Sequence, residues 1–244
     1  MWIERAMHER SRIRTYSPRV LSDTDPFGGT DAKLRIGCIA GLALQQVQSF
    51  VGALYRFDPH LETELRHQSS AAQVPALRAG ELDLGLLYGT GDLDGIEAVP
   101  IFPGERLAAI VPIGHRLAQR AVVTPGDLRG EELLTVPRRI DPEVHDALIA
   151  RVRDAGHEFR RVRECGGGDP RDVLMAVAHG DGAALVPAPL LDAVGELATI
   201  VTPCPTDPPV RMPATVLAWR APANVTVSPL LEVARAAARE LHGG

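Results

Sequence analysis

No apolar run in this 244-residue chain approaches the ~18–20 residues that a membrane-spanning helix needs, so no membrane association is expected. No apolar stretch follows the charges of Met1-Trp2-Ile3-Glu4-Arg5 either, and a secretory signal is therefore not expected. Cysteine is scarce. Cys38, Cys165 and Cys204 cannot make a complete disulfide set, and they sit in apolar or strand-like stretches. Reduced thiols in the cytoplasm are the reading that fits. Positive charge is also in short supply. A net charge of −5 argues against a nucleic-acid binder, whose phosphate contacts require a cationic surface. Only the first 22 residues lean the other way, with five arginines against two glutamates, too few to act alone.

Reactive patterns are missing too. The chain has no Gly-x-Ser-x-Gly elbow, no His-Glu-x-x-His, no Gly-x-x-x-x-Gly-Lys-Ser/Thr phosphate cradle and no Gly-x-Gly-x-x-Gly turn. The eight histidines are dispersed without metal-like spacing. Asp92-Leu93-Asp94-Gly95 hints at a calcium loop but lacks the other oxygen ligands and the distal glutamate, so it reads as a turn. Binding is therefore expected rather than catalysis, with no cofactor and no metal.

What is present is an ordinary globular composition, 45% hydrophobic and 23% charged. Residues 1–32, broken by Pro18, Pro26, Gly28 and Gly29, read as an arm or linker. From Leu34 the signal changes. Leu34–Ile39 alternates like a strand, and Leu44, Val47, Phe50, Val51 and Leu54 then recur at helical spacing up to Asp58-Pro59. Leu61–Leu65 reads as a second strand. Ser70-Ala71-Ala72-Gln73 has the form of a capping box opening a helix to Gly80, in which Pro75 should cost a hydrogen bond or a kink. Leu82–Leu87 shows little alternation, as a strand buried on both faces would.

The rhythm then repeats. Strands are expected over 105–111, 132–136, 160–165, 183–186, 199–202 and 212–219. Helices are expected after Asp141-Pro142, over 170–179 and 189–194, and at the end, where Leu230, Leu231, Ala234 and Leu241 share a stripe. Strand–helix–strand repetition of this kind makes parallel sheets with right-handed crossovers. The fold class is α/β, in two Rossmann-like lobes.

Several segments in this order carry a resemblance. They are Leu34-Arg35-Ile36-Gly37, Phe50 with Asp58-Pro59, and Leu77-x-x-Gly80-Glu81-Leu82-Asp83-Leu84. Glu105-Arg106-Leu107, Val111-Pro112-x-x-His115-x-Leu117 and Asp127-Leu128 follow, then Val177-Ala178-x-Gly180-x-Gly182-Ala183-Ala184-Leu185-Val186-Pro187 and Trp219-Arg220. Over about residues 33–241 the chain resembles the effector-binding domain of LysR-type transcriptional regulators. The resemblance implies a fold similar to type 2 periplasmic binding proteins, with two lobes joined by two crossover strands and a small molecule in the cleft. Lobe one would be 33–112 plus 213–244, and lobe two 113–212. It also implies a homodimer and a part in transcription regulation. Residues 1–32 read as neither a winged helix-turn-helix nor a long linker helix, so direct DNA binding by this chain is not expected; the effect would pass through a partner or a separate DNA-binding part. Gly166-Gly167-Gly168-Asp169-Pro170 is a looser loop than the family pattern.

Ligands of open α/β sheets sit outside the carboxyl ends of strands, where helix N-termini favour anions, so an anionic effector is expected. By resemblance Gly41 and Ser70, with Ser69 beside it, take ligand-contacting positions; a plain helix start and a capping hydroxyl are their ordinary readings. Arg138, with Arg139, follows the strand ending at Val136-Pro137, where a guanidinium holds a carboxylate with two parallel hydrogen bonds unless it is merely solvated. Asp169, near Arg171, reads first as a helix cap and second as a ligand contact. Thr202 ends a strand on the same side. Cys165 and Cys204 raise a redox sensor, but nothing in the sequence depresses a thiol pKa. Two other functions share this fold. A transporter's solute-binding protein would show a signal peptide or lipobox cysteine. A borrowed-fold enzyme would need a clustered acid/base pair, and the nearest carboxylates are Glu81 and Asp83, the latter suited to its own turn.

Overall fold

The computed structural model describes residues 33–39, 44–89, 91–187, 190 and 200–221. The expected arm at 1–32, Gly41, the helix at 189–194 (apart from Leu190) and the closing helix at 230–241 lie outside them.

Five strands make the first sheet. β1 (Leu34–Cys38) lies between β2 (Thr63–His67) and β3 (Leu84–Tyr88), parallel to both, with Leu34 opposite Thr63 and Ile36 opposite Leu84. The crossovers are α1 (Leu44–Phe57) and α2 (Ser70–Ala79). Every residue of β3 is buried, which is why its sequence does not alternate. β10 (Thr215–Arg220) runs antiparallel between β3 and β4 (Ile96–Phe102), giving the order β2-β1-β3-β10-β4. α2 continues through Pro75 to Gly80, whose left-handed backbone (φ 72°) closes it.

The second sheet repeats the plan. β6 (Glu132–Thr135) is flanked in parallel by β7 (Arg161–Glu164) and β8 (Ala183–Pro187). β5 (Leu107–Pro112) then runs antiparallel between β8 and β9 (Val201–Pro205), giving β7-β6-β8-β5-β9. Its helices are α3 (Pro125–Leu128), α4 (Pro142–Asp154) and α5 (Pro170–Ala178). β5 and β10 thus fill the same slot in the two sheets. The chain changes sheet between Phe102 and Leu107, earlier than the boundary at 112 read from sequence, because β5 pairs only within the second sheet.

The two crossing segments lie side by side. The Leu107 amide donates to the Val210 carbonyl (2.9 Å) and the Met212 amide to the Glu105 carbonyl (2.9 Å). They approach so closely that a Cβ on Gly104 would stand 1.8 Å from the Met212 carbonyl oxygen, so only glycine fits there. Phe50, Leu54, Leu84, Leu86 and Trp219 form one core between the first sheet and α1. Ile110, Leu134, Leu174 and Val177 form another, on α5. A third cluster, including Leu77, Leu87, Leu107, Val111 and Leu185, spans both sheets. Burying each such side chain is worth about 1.5–3 kcal/mol, so the lobes are tied together as well as internally.

Candidate functional site

A cavity of about 320 Å³ opens between the two sheets. Its walls come from the carboxyl ends of the parallel strands. Ile39 follows β1, His67 and Gln68 end and follow β2, and Tyr88 ends β3. On the opposite side Thr135, Val136 and Pro137 end and follow β6, and Val186 and Pro187 end β8. Strand ends of open α/β sheets are where ligands of such folds bind. Most of the wall is aliphatic, with Ile140, Val144, Leu148 and Met212 closing it.

The polar side chains in the wall, those of His67, Gln68, Ser69, Tyr88, Thr135, Asp141 and His145, are unevenly satisfied. Thr135 is buried, and its hydroxyl has no hydrogen-bond partner among the described residues; the same holds for Gln68 Oε1 across the cavity. Ser69 caps α2, its Oγ accepting from the Ala72 amide at 3.2 Å. The cap is thus one residue earlier than expected, and Ala72 at the third position cannot complete a capping box. Gln73 does not reach back to the cap. Its buried side chain turns into the sheet, and Nε2 donates to the carbonyls of Gln68 (3.1 Å) and Leu86 (3.2 Å).

Asp141 crosses the cleft. It holds the N-cap position of α4 yet makes no side-chain bond there. Instead its Oδ2 accepts from the Ser70 amide at 2.7 Å and lies 3.4 Å from the Ala71 amide, at the N-terminus of α2 in the other lobe. Glu143, in the first turn of α4, rests against Gly91 of the first lobe, where a Cβ would stand 1.2 Å from Glu143 Oε2. Burial pushes the Glu105 carboxyl, in the first crossing segment, up to about 7. The Tyr88 hydroxyl is raised by burial and by the nearby Glu105 and Asp141 charges.

The residues singled out from sequence are distributed unevenly around this cavity. Ser69 is in the wall. Ser70 stands just behind it, buried, its Oγ accepting from the Tyr88 amide at 3.1 Å while its own amide serves Asp141. Arg138 is exposed and forks onto Asp146 (2.8 and 2.6 Å) rather than facing the cleft. Asp169 caps α5, accepting from the Arg171 amide at 2.9 Å, and pairs with the Arg171 side chain; its neighbours Gly168 and Pro170 line the cavity. Thr202 sits inside β9 opposite Val111. Asp83 bonds the Arg35 amide and side chain, which is a structural role. Burial raises the thiol pKa of Cys38, Cys165 and Cys204. Among the described residues no three His, Cys, Asp or Glu side chains gather as a metal site would require.

Gln68, Thr135 and Asp141 were not singled out. Thr135 and Gln68 carry one signal that finds them, their place at or just past the carboxyl end of a parallel strand. Asp141 carries none, since Asp-Pro at a helix start describes it fully as sequence.

Two five-stranded lobes of the same strand plan, the first completed by β10 after the chain returns from the second, enclose a cleft at their strand ends and define a type 2 periplasmic-binding-protein-like domain. The chain belongs to the LysR substrate binding domain family, which it matches over residues 27–240. It is similar to the HTH-type transcriptional regulator TtuA of Agrobacterium vitis, 28% identical over 154 residues, 63% of this chain and 50% of that protein. The chain spans about half the length of the curated relatives it matches. Among solved structures it resembles the reduced OxyR regulatory domain from Pseudomonas aeruginosa (TM-score 0.67, 19% identity, covering 85% of this chain and 98% of that one). It also resembles the BenM effector binding domain with its effector benzoate (TM-score 0.67, 23% identity, covering 86% and 92%). At these identities the two structures speak to the fold.

Proposed function

We propose that this chain is the effector-sensing part of a LysR-type transcriptional regulator, acting in the cytoplasm. A small molecule enters the cleft, the lobes shift about the paired crossing segments, and the change passes to a DNA-binding part through a side-by-side homodimer. The observation that carries this reading is the cavity at the carboxyl ends of both parallel sheets. The relatives, named as transcriptional regulators, support binding over catalysis. No described helix is long and apolar enough to cross a membrane.

The described wall holds the His67 and His145 imidazoles and no arginine or lysine, and the terminus of α2 faces Asp141.

The test is thermal unfolding of the purified chain across a metabolite library. A ligand at about 100 times its Kd adds ~2.7 kcal/mol, hence several degrees in Tm for a protein of this size. The hit should lose its shift in a Thr135→Val variant that unfolds like wild type without ligand. A library that never moves Tm defeats the reading. Size-exclusion chromatography with light scattering tests the homodimer, and a monomer at working concentration removes that part.

A further inference from the structure

We infer that Asp141 is a two-position latch between the lobes. With the cleft closed its carboxylate holds the start of α2 in the first lobe; when the lobes part it turns back to cap its own helix, α4. This rests on the lobe movement proposed above and supplies a contact that the movement makes and breaks.

The first ground is a cap left unused. Asp141 stands at the N-cap of α4, where aspartate is favoured because its side-chain oxygen accepts from the second or third helical amide. In α4 these belong to Glu143 and Val144, and Pro142 at the first position has no N–H. Asp141 bonds neither. The caps of α2 and α5 behave differently: Ser69 accepts from the Ala72 amide and Asp169 from the Arg171 amide, with ψ of 159° and 123°. At Asp141 ψ is 82°. A rotation at this one residue separates its present arrangement from theirs.

The second ground is where the carboxylate goes instead. Its Oδ2 accepts from the Ser70 amide at 2.7 Å, with the Ala71 amide at 3.4 Å. These first amides of α2 have no intrahelical acceptor, and Ser69 Oγ serves Ala72. Beside this contact Glu143, in the first turn of α4, stands against Gly91 of the first lobe. Asp141 and Ser69 line the cavity, and so does Met212 of the second crossing segment, so the cavity reaches from the latch to the segments about which the lobes move.

One carboxylate cannot serve both helices. Closed, it bonds α2 and leaves the first amides of α4 without a cap; open, it caps α4 and leaves Ser70 to water. A charge-assisted bond is roughly twice as strong as a neutral one, but the cap regained on opening offsets much of it. The net hold on the closed state is therefore a small difference, which any occupant touching Asp141 or Ser69 can tip. A fixed clasp would give nothing back.

The test is a double-mutant cycle on the full chain, read by urea unfolding. Ser70→Pro deletes the amide hydrogen that Asp141 holds, at a first helical position where proline is accommodated, and leaves the carboxylate only its own helix. The Ser70 hydroxyl bond to the Tyr88 amide is lost in both arms alike. Asp141→Ala should raise the unfolding constant about tenfold in wild type and still about fivefold in the Ser70→Pro background, as loss of a cap does. An effect below about twofold in that background overturns the latch, because the carboxylate then has a single partner. If Ser70→Pro does not fold, amide exchange by NMR in Asp141→Asn replaces it. Asparagine keeps the cap and gives up the charge, so the Glu143 and Val144 amides should exchange more slowly than in wild type and Ser70 faster; unchanged Glu143 and Val144 rates overturn the inference.

The movement itself is read by pulsed dipolar spectroscopy between spin labels at Ala79→Cys in α2 and Ala150→Cys in α4, both exposed. Cys38 and Cys204 are buried, Cys165 is replaced by serine, and labelled chain is diluted into unlabelled chain. Asp141→Ala should lengthen or broaden the distance, and a distribution identical to wild type overturns the latch. None of these measurements uses an effector. A negative result here leaves the sensing reading standing, and a metabolite library that never moves Tm leaves the latch standing.

Discussion

Replacing Gly85 with alanine tests how the lobe-one wall of the cleft is held. Gly85 in β3 and Gly37 in β1 are neighbours in the sheet, and both face the side chain of Gln73 from α2. A Cβ on Gly85 would stand 2.8 Å from Gln73 Oε1, the one heavy atom nearer than 3.0 Å; the next, Leu77 Cδ1, is at 3.1 Å. Gln73 cannot simply swing away, because its Nε2 holds the carbonyls of Gln68 and Leu86. Crowding a packed core costs about 1–3 kcal/mol. Gln73→Ala should cost about 2–3 kcal/mol, from two buried carbonyls losing a donor and from the space left behind. The double variant is the informative one. Without the Gln73 amide the new methyl has room, so the double variant should be less destabilised than the sum by about 1–2 kcal/mol. Urea unfolding followed by far-ultraviolet circular dichroism measures all three, and each single change should lower Tm by roughly 3–10 °C. Additivity within about 0.5 kcal/mol, or a Gly85→Ala protein as stable as wild type, would refute the account.

Glu105 is half-buried, and burial lifts its carboxyl from 4.5 to about 7, so the folded state binds its proton more tightly than the unfolded state does. Its contribution is fully present below pH 4.5 and is lost as pH rises to about 7. Glu105→Gln should flatten that fall and leave the protein more stable at pH 8 by about 1 kcal/mol, discounted for partial exposure, and superimposable Tm–pH profiles would contradict this. Burial pushes the Cys38 thiol up to about 11, so it should react with a disulfide reagent at pH 8 about 100-fold more slowly in the native protein than in denaturant, and burial also raises Cys204, which should be slowed in the same direction. Fast native labelling at either position would show a thiol that is not shielded. Asp169→Ala should lower stability by about 1 kcal/mol through loss of the α5 cap, measured by the same urea titration, and no change would mean that the Arg171 amide finds another acceptor.

The α/β rhythm was legible because its parallel strands are buried on both faces and read as short apolar runs between amphipathic helices. β4 was not, for the opposite reason. It is an edge strand, half exposed, with Glu97 and Pro100 breaking the apolar pattern; proline is tolerated there because an edge strand leaves one side of its backbone unpaired. The start of α2 shows how local patterns mislead by a residue. Ser69 and Ser70 are both capping residues, and Gln73 fits the capping-box spacing from Ser70. Only the sheet decides that Ser69 caps and that Gln73 turns inward, because Gly37 and Gly85 leave a slot the size of an amide group.

The polarity of the cleft was hidden for a related reason. From sequence, Ser70 and Asp169 read as helix caps and as ligand contacts, and Arg138 as a clamp for a carboxylate. Each inference was sound for the isolated segment. What the segment leaves out is that the carboxylate and the amides belong to different lobes: Asp141 and Ser70 lie 71 positions apart and meet because both mark the edge of the same cleft. Arg138 is drawn away by Asp146, in the second turn of the adjoining helix and on the same outer surface. A segment can announce that it attracts an anion, but not that the fold will deliver one of the chain's own. Which charge stands at the start of α2 is therefore set by the contact between the lobes, and Asp141 is the residue that supplies it. A molecule that displaces Asp141 from α2 must replace both its bond to the Ser70 amide and its part in holding the lobes together.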